Sequence, residues 1–319
     1  MSPIGKSHEK VHYEFRPAKQ VERRMLLHAL NGLRDLGYPI ATYEYTGLGS
    51  IYFIDFVLFH RYLGLSKMTS VEGDSDVKKR VDFNRPYKLI NIVHDDIAAQ
   101  IARLSPERRH ILWLDFDSIL TEDLLDTVQL AATQLSMESI LLITVDAEPP
   151  GRPQDGLKKW NPTAWMRHFR LEAEPFFWQG ISRRDFIRES LPITNARLLQ
   201  NAINQGLRER EARFIDMFSF FYADGHRMLS IGGMIGTEAD LRKIQTLDKN
   251  EYFFMRNDVA GDPFLIRVPL VTRKERHYLD QNMPCQKGWS PSPFEMKPED
   301  VDDYMTIYRY YPAYTEMLL

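Results

Sequence analysis

The chain has 319 residues, with 41 Lys and Arg against 44 Asp and Glu, for a formal net charge of -3. That length suits one large domain, or one domain with a smaller appendage, and the near-neutral balance argues neither way about nucleic acid, because a basic patch can hide in a neutral total. The single cysteine, Cys285, excludes an intramolecular disulfide and a cysteine-based zinc site, so a reducing, intracellular setting is the default. Met1 to Lys10 is polar and carries no secretory signal, and no apolar run approaches a membrane span. A soluble cytoplasmic protein is expected.

The spacing of Val21, Met25, Leu26, Ala29, Leu30 and Leu33 predicts a helix over 18–36, stopped by Gly37. Short apolar runs then alternate with helical stretches. Strands are expected at Ile40 to Tyr45, Lys67 to Val71, Leu89 to Val93, Ile111 to Leu114 and Ser139 to Val145. Helices are expected between them at Ile51 to Leu63, Asp76 to Phe83, Ile97 to Leu104 and Thr121 to Leu135. This alternation is the signature of a parallel sheet with helices on both faces, a doubly wound α/β fold.

After Asp146 the pattern changes. Pro149, Pro150, Gly151, Pro153 and Gly156 mark a loop, and Trp160, Trp165, Phe169, Phe176, Phe177 and Trp178 form an aromatic stretch interleaved with Lys158, Lys159, Arg167, Arg170, Arg183 and Arg184. Such a mixture reads either as core with a solvated basic face or as a nucleic-acid surface; core is favoured. A helix over 195–210 leads to a β-hairpin, Phe214 to Tyr222 and His226 to Ile231, turned at Ala223-Asp224-Gly225. A strand at Phe264 to Val268 and a helix over 298–310 follow. The chain therefore divides into an N-terminal helical extension (1–38), a central domain (39–240) whose residues 150–200 cover the acceptor side, and a C-terminal extension (241–319).

Four strand ends carry the candidate chemistry, because ligands of an open parallel sheet bind at the carboxyl ends of its strands. The first reads Glu44-Tyr45-Thr46-Gly47-Leu48-Gly49-Ser50, whose glycines permit a tight turn and close backbone approach. The helix after it offers free N–H groups to a carboxylate. Glu72 stands 23 residues past Gly49, the distance of a carboxylate that accepts both ribose hydroxyls. Asp95 or Asp96 follows the third strand and can accept from an adenine amino group; one of them can instead cap the helix at Ile97. Asp115 and Asp117 follow the fourth, and Asp146 the fifth.

In this order the four ends resemble the motifs of class I S-adenosylmethionine-dependent methyltransferases. The likeness spans about residues 40–235, with the hairpin standing as their last two strands. The chain ends, Arg16-Pro17-Ala18-Lys19-Gln20-Val21-Glu22-Arg23 and Tyr308-Arg309-Tyr310-Tyr311-Pro312, are similar to a bacterial group whose O-methyltransferase label rests on fold. The resemblance implies S-adenosylmethionine as cofactor, held by Glu44, Tyr45, Gly47, Gly49, Ser50, Glu72, Asp95 and Asp96. It implies catalytic roles for Asp115, Asp117 and Asp146, with no metal assigned, although Asp115 with Asp146 could hold a cation as in some O-methyltransferases. Asp115 is expected nearest the reactive methyl, and Asp117 is expected to bind backbone N–H groups at 118–121. His94 and His226 are alternative bases. The glycine turn has two glycines rather than three.

Two other readings stay open. Asp115-Phe116-Asp117-Ser118-Ile119-Leu120 is similar to the nucleophile motif of haloacid-dehalogenase phosphatases, though four sheet elements precede it. A methyltransferase fold that binds cofactor or partner without chemistry is the third class. No Asn/Asp-Pro-Pro-Tyr motif is present, and Cys285 lies far from the candidate site in sequence, which argues against DNA base methylation. The acceptor is left as a small molecule, a protein or a nucleic acid; no membrane partner is expected and the oligomeric state stays open.

Overall fold

Helix α1 (Pro17–Asp35) opens with Pro17 in its first turn, where a missing N–H costs nothing. It belongs to a computed structural model that describes residues 16–148 and 161–312. The loop glycines and prolines at 149–156, together with Lys158, Lys159 and Trp160, lie outside the described residues.

Among the described residues, eight strands form one sheet in the order β3-β2-β1-β4-β5-β7-β6-β8. They are β1 (Glu44–Leu48), β2 (Lys67–Val71), β3 (Ile90–Val93), β4 (His110–Asp115), β5 (Ile140–Asp146), β6 (Arg213–Ala223), β7 (Arg227–Gly236) and β8 (Phe264–Ile266). The first five run parallel. β7 inserts antiparallel between β5 and β6. β8, from the C-terminal extension, adds a parallel strand outside β6. Strand order reverses between β1 and β4, which places the ligand crevice at their carboxyl ends.

Between the strands lie α2 (Ile54–Leu63), α3 (Lys78–Asn84), α4 (Ile97–Ile101) and α5 (Glu122–Gln134). After β5 come α6 (Pro162–Ala173) and α7 (Leu191–Leu207). α8 (Glu238–Ile244), α9 (Arg273–Asn282) and α10 (Pro298–Ile307) follow the hairpin. Side-chain alternation along the strands sends Tyr45, Ile111 and Trp113 to one face and Leu112, Leu114 and Ile143 to the other, and each face has its own apolar cluster. α1, α2 and most of the apolar residues after 240 share the first cluster. α5, α6 and α7 share the second. Phe169, Phe176 and Phe186 are buried there, so the aromatic stretch is core at those positions. No helix among the described residues is long and apolar enough to cross a membrane.

Several boundaries differ from the sequence expectations. Residues 40–42 form a 3-10 turn, fixed by the Thr42 hydroxyl donating to the Pro39 carbonyl at 2.8 Å, and the strand begins only at Glu44, where pairing with Lys67 and His110 starts. α2 begins at Ile54 because Phe53 takes a left-handed conformation (φ 50°), a strained one for a bulky residue, with its ring buried against Phe56. The hairpin extends to Gly236, which pairs with Arg213 of β6, while β7 pairs with β5 from Met228 to Met234.

A bulge interrupts β6 after Asp216. Asp216 Oδ2 accepts from Gln200 Nε2 (3.0 Å) and from the Val259 N–H (3.1 Å), while its buried Oδ1 has no partner among the described residues. Burial pushes this carboxyl up to about 6, a rise that the Val259 bond only partly offsets. A raised carboxyl stabilises the fold fully below its unfolded value near 4, and that contribution is lost as pH rises through about 6. Asp216→Asn is therefore expected to raise the melting temperature at pH 8 relative to wild type and to give no such gain at pH 4.5. Thermal scans across pH 4–8 test the crossover.

Candidate active site

Two glycines in and just after β1 have different tasks, and neither is a turn with positive φ. Gly47 is an extended residue inside the strand, paired with Ser70 and Trp113. A Cβ there would sit 2.5 Å from the Tyr45 hydroxyl, so glycine lets that ring lie along the strand toward the crevice. Gly49 follows the strand, and its N–H donates to the Val71 carbonyl. A Cβ on Gly49 would meet Glu72 Cβ and Oε2, both at 2.8 Å. Glycine at this point brings the Glu72 carboxylate across the ends of β1 and β2. There Glu72 Oε1 accepts from the Asp74 N–H at 2.8 Å.

Asp96 caps α4, accepting from the Ala98 and Ala99 N–H groups at 2.7 and 3.4 Å. Asp95 pairs with Arg103 Nη1 at 2.7 Å and accepts from the Asp96 N–H, bonds that hold its carboxyl below the usual range. His94 is tied to Asp82 of α3 at 3.0 Å. Glu44 does not reach the crevice. It begins β1, about 13 Å from the strand's carboxyl end by strand rise, and pairs with Lys67 (3.3 Å) and Arg108 (3.9 Å). The assignment of Glu44 to the cofactor is corrected on that ground: a five-residue parallel strand separates its first residue from the ligand end.

The helix after β1 also departs from expectation. Asp55 in its first turn is half-buried, accepts from its own N–H and accepts from the Tyr45 hydroxyl. Burial pushes this carboxyl up, against the pull of Arg23, and burial beside Asp55 pushes the Tyr45 phenol well above its usual value. A protein carboxylate thus takes one of the N–H groups at this helix end.

Sequence reasoning missed the contribution of α1. Arg16, Lys19, Glu22 and Arg23 follow i, i+3, i+4 spacing, share one helix face and are buried beneath the carboxyl ends of β4 and β6. Lys19 Nζ contacts Glu22 Oε2 (2.8 Å) and Asp115 Oδ1 (2.9 Å) and lies over the Trp113 ring at 4.6 Å. Trp113 Nε1 donates to Thr144 Oγ1 (3.1 Å), which meets Ser230 Oγ at 2.8 Å. The Tyr222 hydroxyl donates to Glu22 Oε2 at 3.3 Å. Burial raises the Asp115 carboxyl, but Lys19, Arg23 and Arg16 outweigh it and hold it below the ordinary carboxylate range. The hairpin turn closes this arrangement: Asp224 accepts from the Ala18 and Lys19 N–H groups (3.1 and 2.9 Å), capping α1 from across the sequence. The available signal was a run of charges at core spacing on a helix that is buried nearly all round.

Asp117 is exposed, and no N–H of residues 118–121 donates to it among the described residues; Thr121 caps α5 instead, accepting from the Leu124 N–H at 3.4 Å. Asp146 is buried at the end of β5, accepts from the Glu148 N–H at 2.6 Å and faces His226 Nδ1 at 3.7 Å. Asn195 Nδ2 donates to the Asp146 carbonyl (3.3 Å), and Arg188 pairs with Glu148 (3.3 Å), so residues 188–195 lie beside the carboxyl end of β5. Asp115 pairs in register with Thr144, which puts Asp115 and Asp146 on one sheet face with Cα atoms about 8 Å apart. Among the described residues no group of three or more His, Cys, Asp or Glu side chains is gathered to hold a metal ion.

A cavity of about 40 Å³ lies among Arg23, Tyr45, Gly49, Ser50, Asp55 and Asp115. The doubly wound order with an antiparallel β7, and acidic residues gathered at the crevice, define a methyltransferase-type α/β protein. A family model described as "Putative O-methyltransferase" matches residues 11–319, and the chain belongs to that family. Methyl transfer is the reaction that the family's description names. That membership sets the phosphatase reading aside.

No curated protein matches the sequence. Among solved structures the chain is similar to Trm1 from Pyrococcus horikoshii in complex with S-adenosyl-L-methionine, at 15% identity over 74% of this chain and 59% of that one (TM-score 0.44). It is also similar to the N-methyltransferase NodS from Bradyrhizobium japonicum WM9 with S-adenosyl-L-homocysteine, at 8% identity over 69% and 89% (TM-score 0.38). A third is the Methanococcus jannaschii fibrillarin pre-rRNA processing protein, at 8% identity over 63% and 70% (TM-score 0.33). These likenesses extend to the fold alone.

Proposed function

We propose that the protein transfers a methyl group to an acceptor oxygen across the carboxyl ends of β1, β2, β4 and β5. The observation that carries this is Glu72 drawn over Gly49, with Asp115 facing the same crevice from β4. The residues fit the donor: a ribose needs a carboxylate at the end of β2, and Glu72 stands there beside Gly49. The bound donor supplies an activated methyl on a sulfonium, so alignment accounts for most of the rate. Glu72 holds the ribose hydroxyls, Asp95 or Asp96 contacts the base, and Tyr45, Gly49 and Ser50 line the donor's other end. Asp115, kept ionised by Lys19, positions the reacting groups and is poorly suited to take a proton at neutral pH. Asp146, with His226 beside it, takes the acceptor's proton. Asp117 contributes from the exposed rim of the same loop. A bacterial, cytoplasmic setting belongs to this proposal and rests on the single cysteine and the likeness of the chain ends. The acceptor approaches from the β5 and hairpin side, beside residues 188–195.

Glu72→Ala is expected to weaken S-adenosylhomocysteine binding by about 1–3 kcal/mol, the loss for hydrogen bonds to a charged group. Calorimetry on the folded variant measures it, and unchanged affinity would remove Glu72 from the site. Absence of heat with both donor and product in wild type would overturn the donor site itself.

A further inference from the structure

Helix α1 is not capped by its own leading residue. Arg16 holds the N-cap position and makes no side-chain cap bond, and Pro17 has no N–H to satisfy. The next two N–H groups, of Ala18 and Lys19, donate instead to Asp224 Oδ1 and Oδ2 at 3.1 and 2.9 Å. These are the donors that a Ser, Thr or Asp at position 16 would take. A local cap would end the helix equally well, so the distant one adds a fixed joint between α1 and the β6–β7 turn. One more contact spans the joint: the Tyr222 hydroxyl of β6 donates to Glu22 Oε2 at 3.3 Å. Beyond it, Lys19 Nζ meets Glu22 Oε2 and Asp115 Oδ1 at 2.8 and 2.9 Å. Position 16 is left to an arginine whose charge helps to hold the Asp115 carboxyl down. The same turn carries His226, with Nδ1 3.7 Å from Asp146 Oδ2.

We propose that Asp224 is a positioning residue for Asp115: by fixing the first turn of α1, it holds the Lys19 ammonium against the carboxylate at the end of β4. Asp224 itself touches no reacting group. Lys19 is the third residue of its helix, where fraying starts, and its side chain is fully buried. The ammonium therefore keeps its place only while the backbone of that turn does. The part that Asp115 plays in methyl transfer rests on the function proposed above. The linkage from Asp224 through Lys19 to Asp115 does not, so the folded protein tests it without donor or acceptor.

A double-mutant cycle in urea is the experiment. Asp224→Ala removes the cap, and Asp115→Asn removes the far end of the linkage. The double variant should be destabilised less than the two single losses predict, by about threefold or more in the unfolding equilibrium constant. Asp224→Asn keeps an acceptor oxygen and should restore most of the stability lost in Asp224→Ala. A cap that only ends the helix gives additive losses, and additivity overturns the proposal. Coupling as strong with Asp224→Asn as with Asp224→Ala also overturns it, because the charge of Asp224 rather than its bonds would then be acting. A second measurement leaves Asp224 in place and serves if Asp224→Ala does not fold. In Asp115→Asn the Lys19 N–H should exchange with solvent about threefold or more faster than in wild type, relative to Met25 in the middle of the same helix. A ratio unchanged from wild type overturns the linkage. Failure of wild type to bind S-adenosylhomocysteine would instead refute the proposed function and leave the cycle to decide the linkage alone.

Discussion

Asp115→Asn is expected to cut turnover by about 100-fold or more while S-adenosylhomocysteine affinity stays close to wild type. Positioning errors of about 1 Å near the reacting atoms cost that much in rate. The carboxylate is 28% exposed at the end of β4 and fixed by Lys19, so its orientation is defined before any ligand arrives. Asn keeps the shape and one acceptor oxygen but loses the charge, and Lys19 keeps Glu22 as partner. The fold should therefore survive. The pH profile separates the role of Asp115 from that of a base. Its carboxyl lies below the ordinary range, so it is ionised throughout neutral pH and contributes no rising limb near neutrality. Its stability contribution is present above the unfolded carboxylate value near 4 and is lost only as pH falls through the lower folded value. Any limb near pH 6–7 should persist in Asp115→Asn. Wild-type turnover in a folded Asp115→Asn protein would remove Asp115 from the mechanism.

The sheet was legible because its strands are short apolar runs with helices between them, and hydrophobic period is set by burial. The order of acidic strand ends was legible for the same reason: each follows a recognisable strand. Glu44 falls near the ligand end only if the apolar run from Ile40 to Tyr45 is the strand; pairing instead runs from Glu44 to Leu48, which moves Glu44 to the strand's start. The sequence pattern groups Gly47 and Gly49 as turn residues. Their tasks differ because Gly47 makes room for the Tyr45 hydroxyl and Gly49 for Glu72, contacts with side chains that no local pattern records. The capping of α1 by Asp224 joins residues 205 and 206 positions apart, beyond any local signal. The chain ends, both noted for their likeness to one group, meet in space: Arg24 donates to the Tyr310 and Tyr311 carbonyls, and His28 Nδ1 meets the Tyr310 hydroxyl at 2.7 Å. Division of the chain at 38 and 240 marks segments that share one apolar cluster with the central sheet.

Lys19→Met is expected to be the most destabilising single change at the site. Lys19 is fully buried and joins two carboxylates, one of them, Glu22, also fully buried. Removing one partner of a buried ionic group leaves uncompensated charge and costs about 3–5 kcal/mol. Methionine keeps most of the aliphatic volume, so the loss reports on charge more than on a cavity. Part of the cost should return when the stranded charge is also removed. Lys19→Met with Glu22→Gln should be more stable than Lys19→Met alone, and the double-mutant cycle should show coupling of about 1 kcal/mol or more. The pH dependence carries the same sign. Without Lys19 the Asp115 carboxyl loses its largest favourable charge contact, so its pKa rises toward or above the ordinary value. The stability gap between wild type and Lys19→Met should then narrow as pH falls from 7 toward 4, where the stranded carboxylates take up protons. Urea melts of the four proteins of the cycle at pH 7 and pH 4.5 measure both effects. A gap of constant size across that range, with no coupling in the cycle, would mean that Lys19 acts through packing alone and that the charge network under Asp115 contributes nothing to the fold.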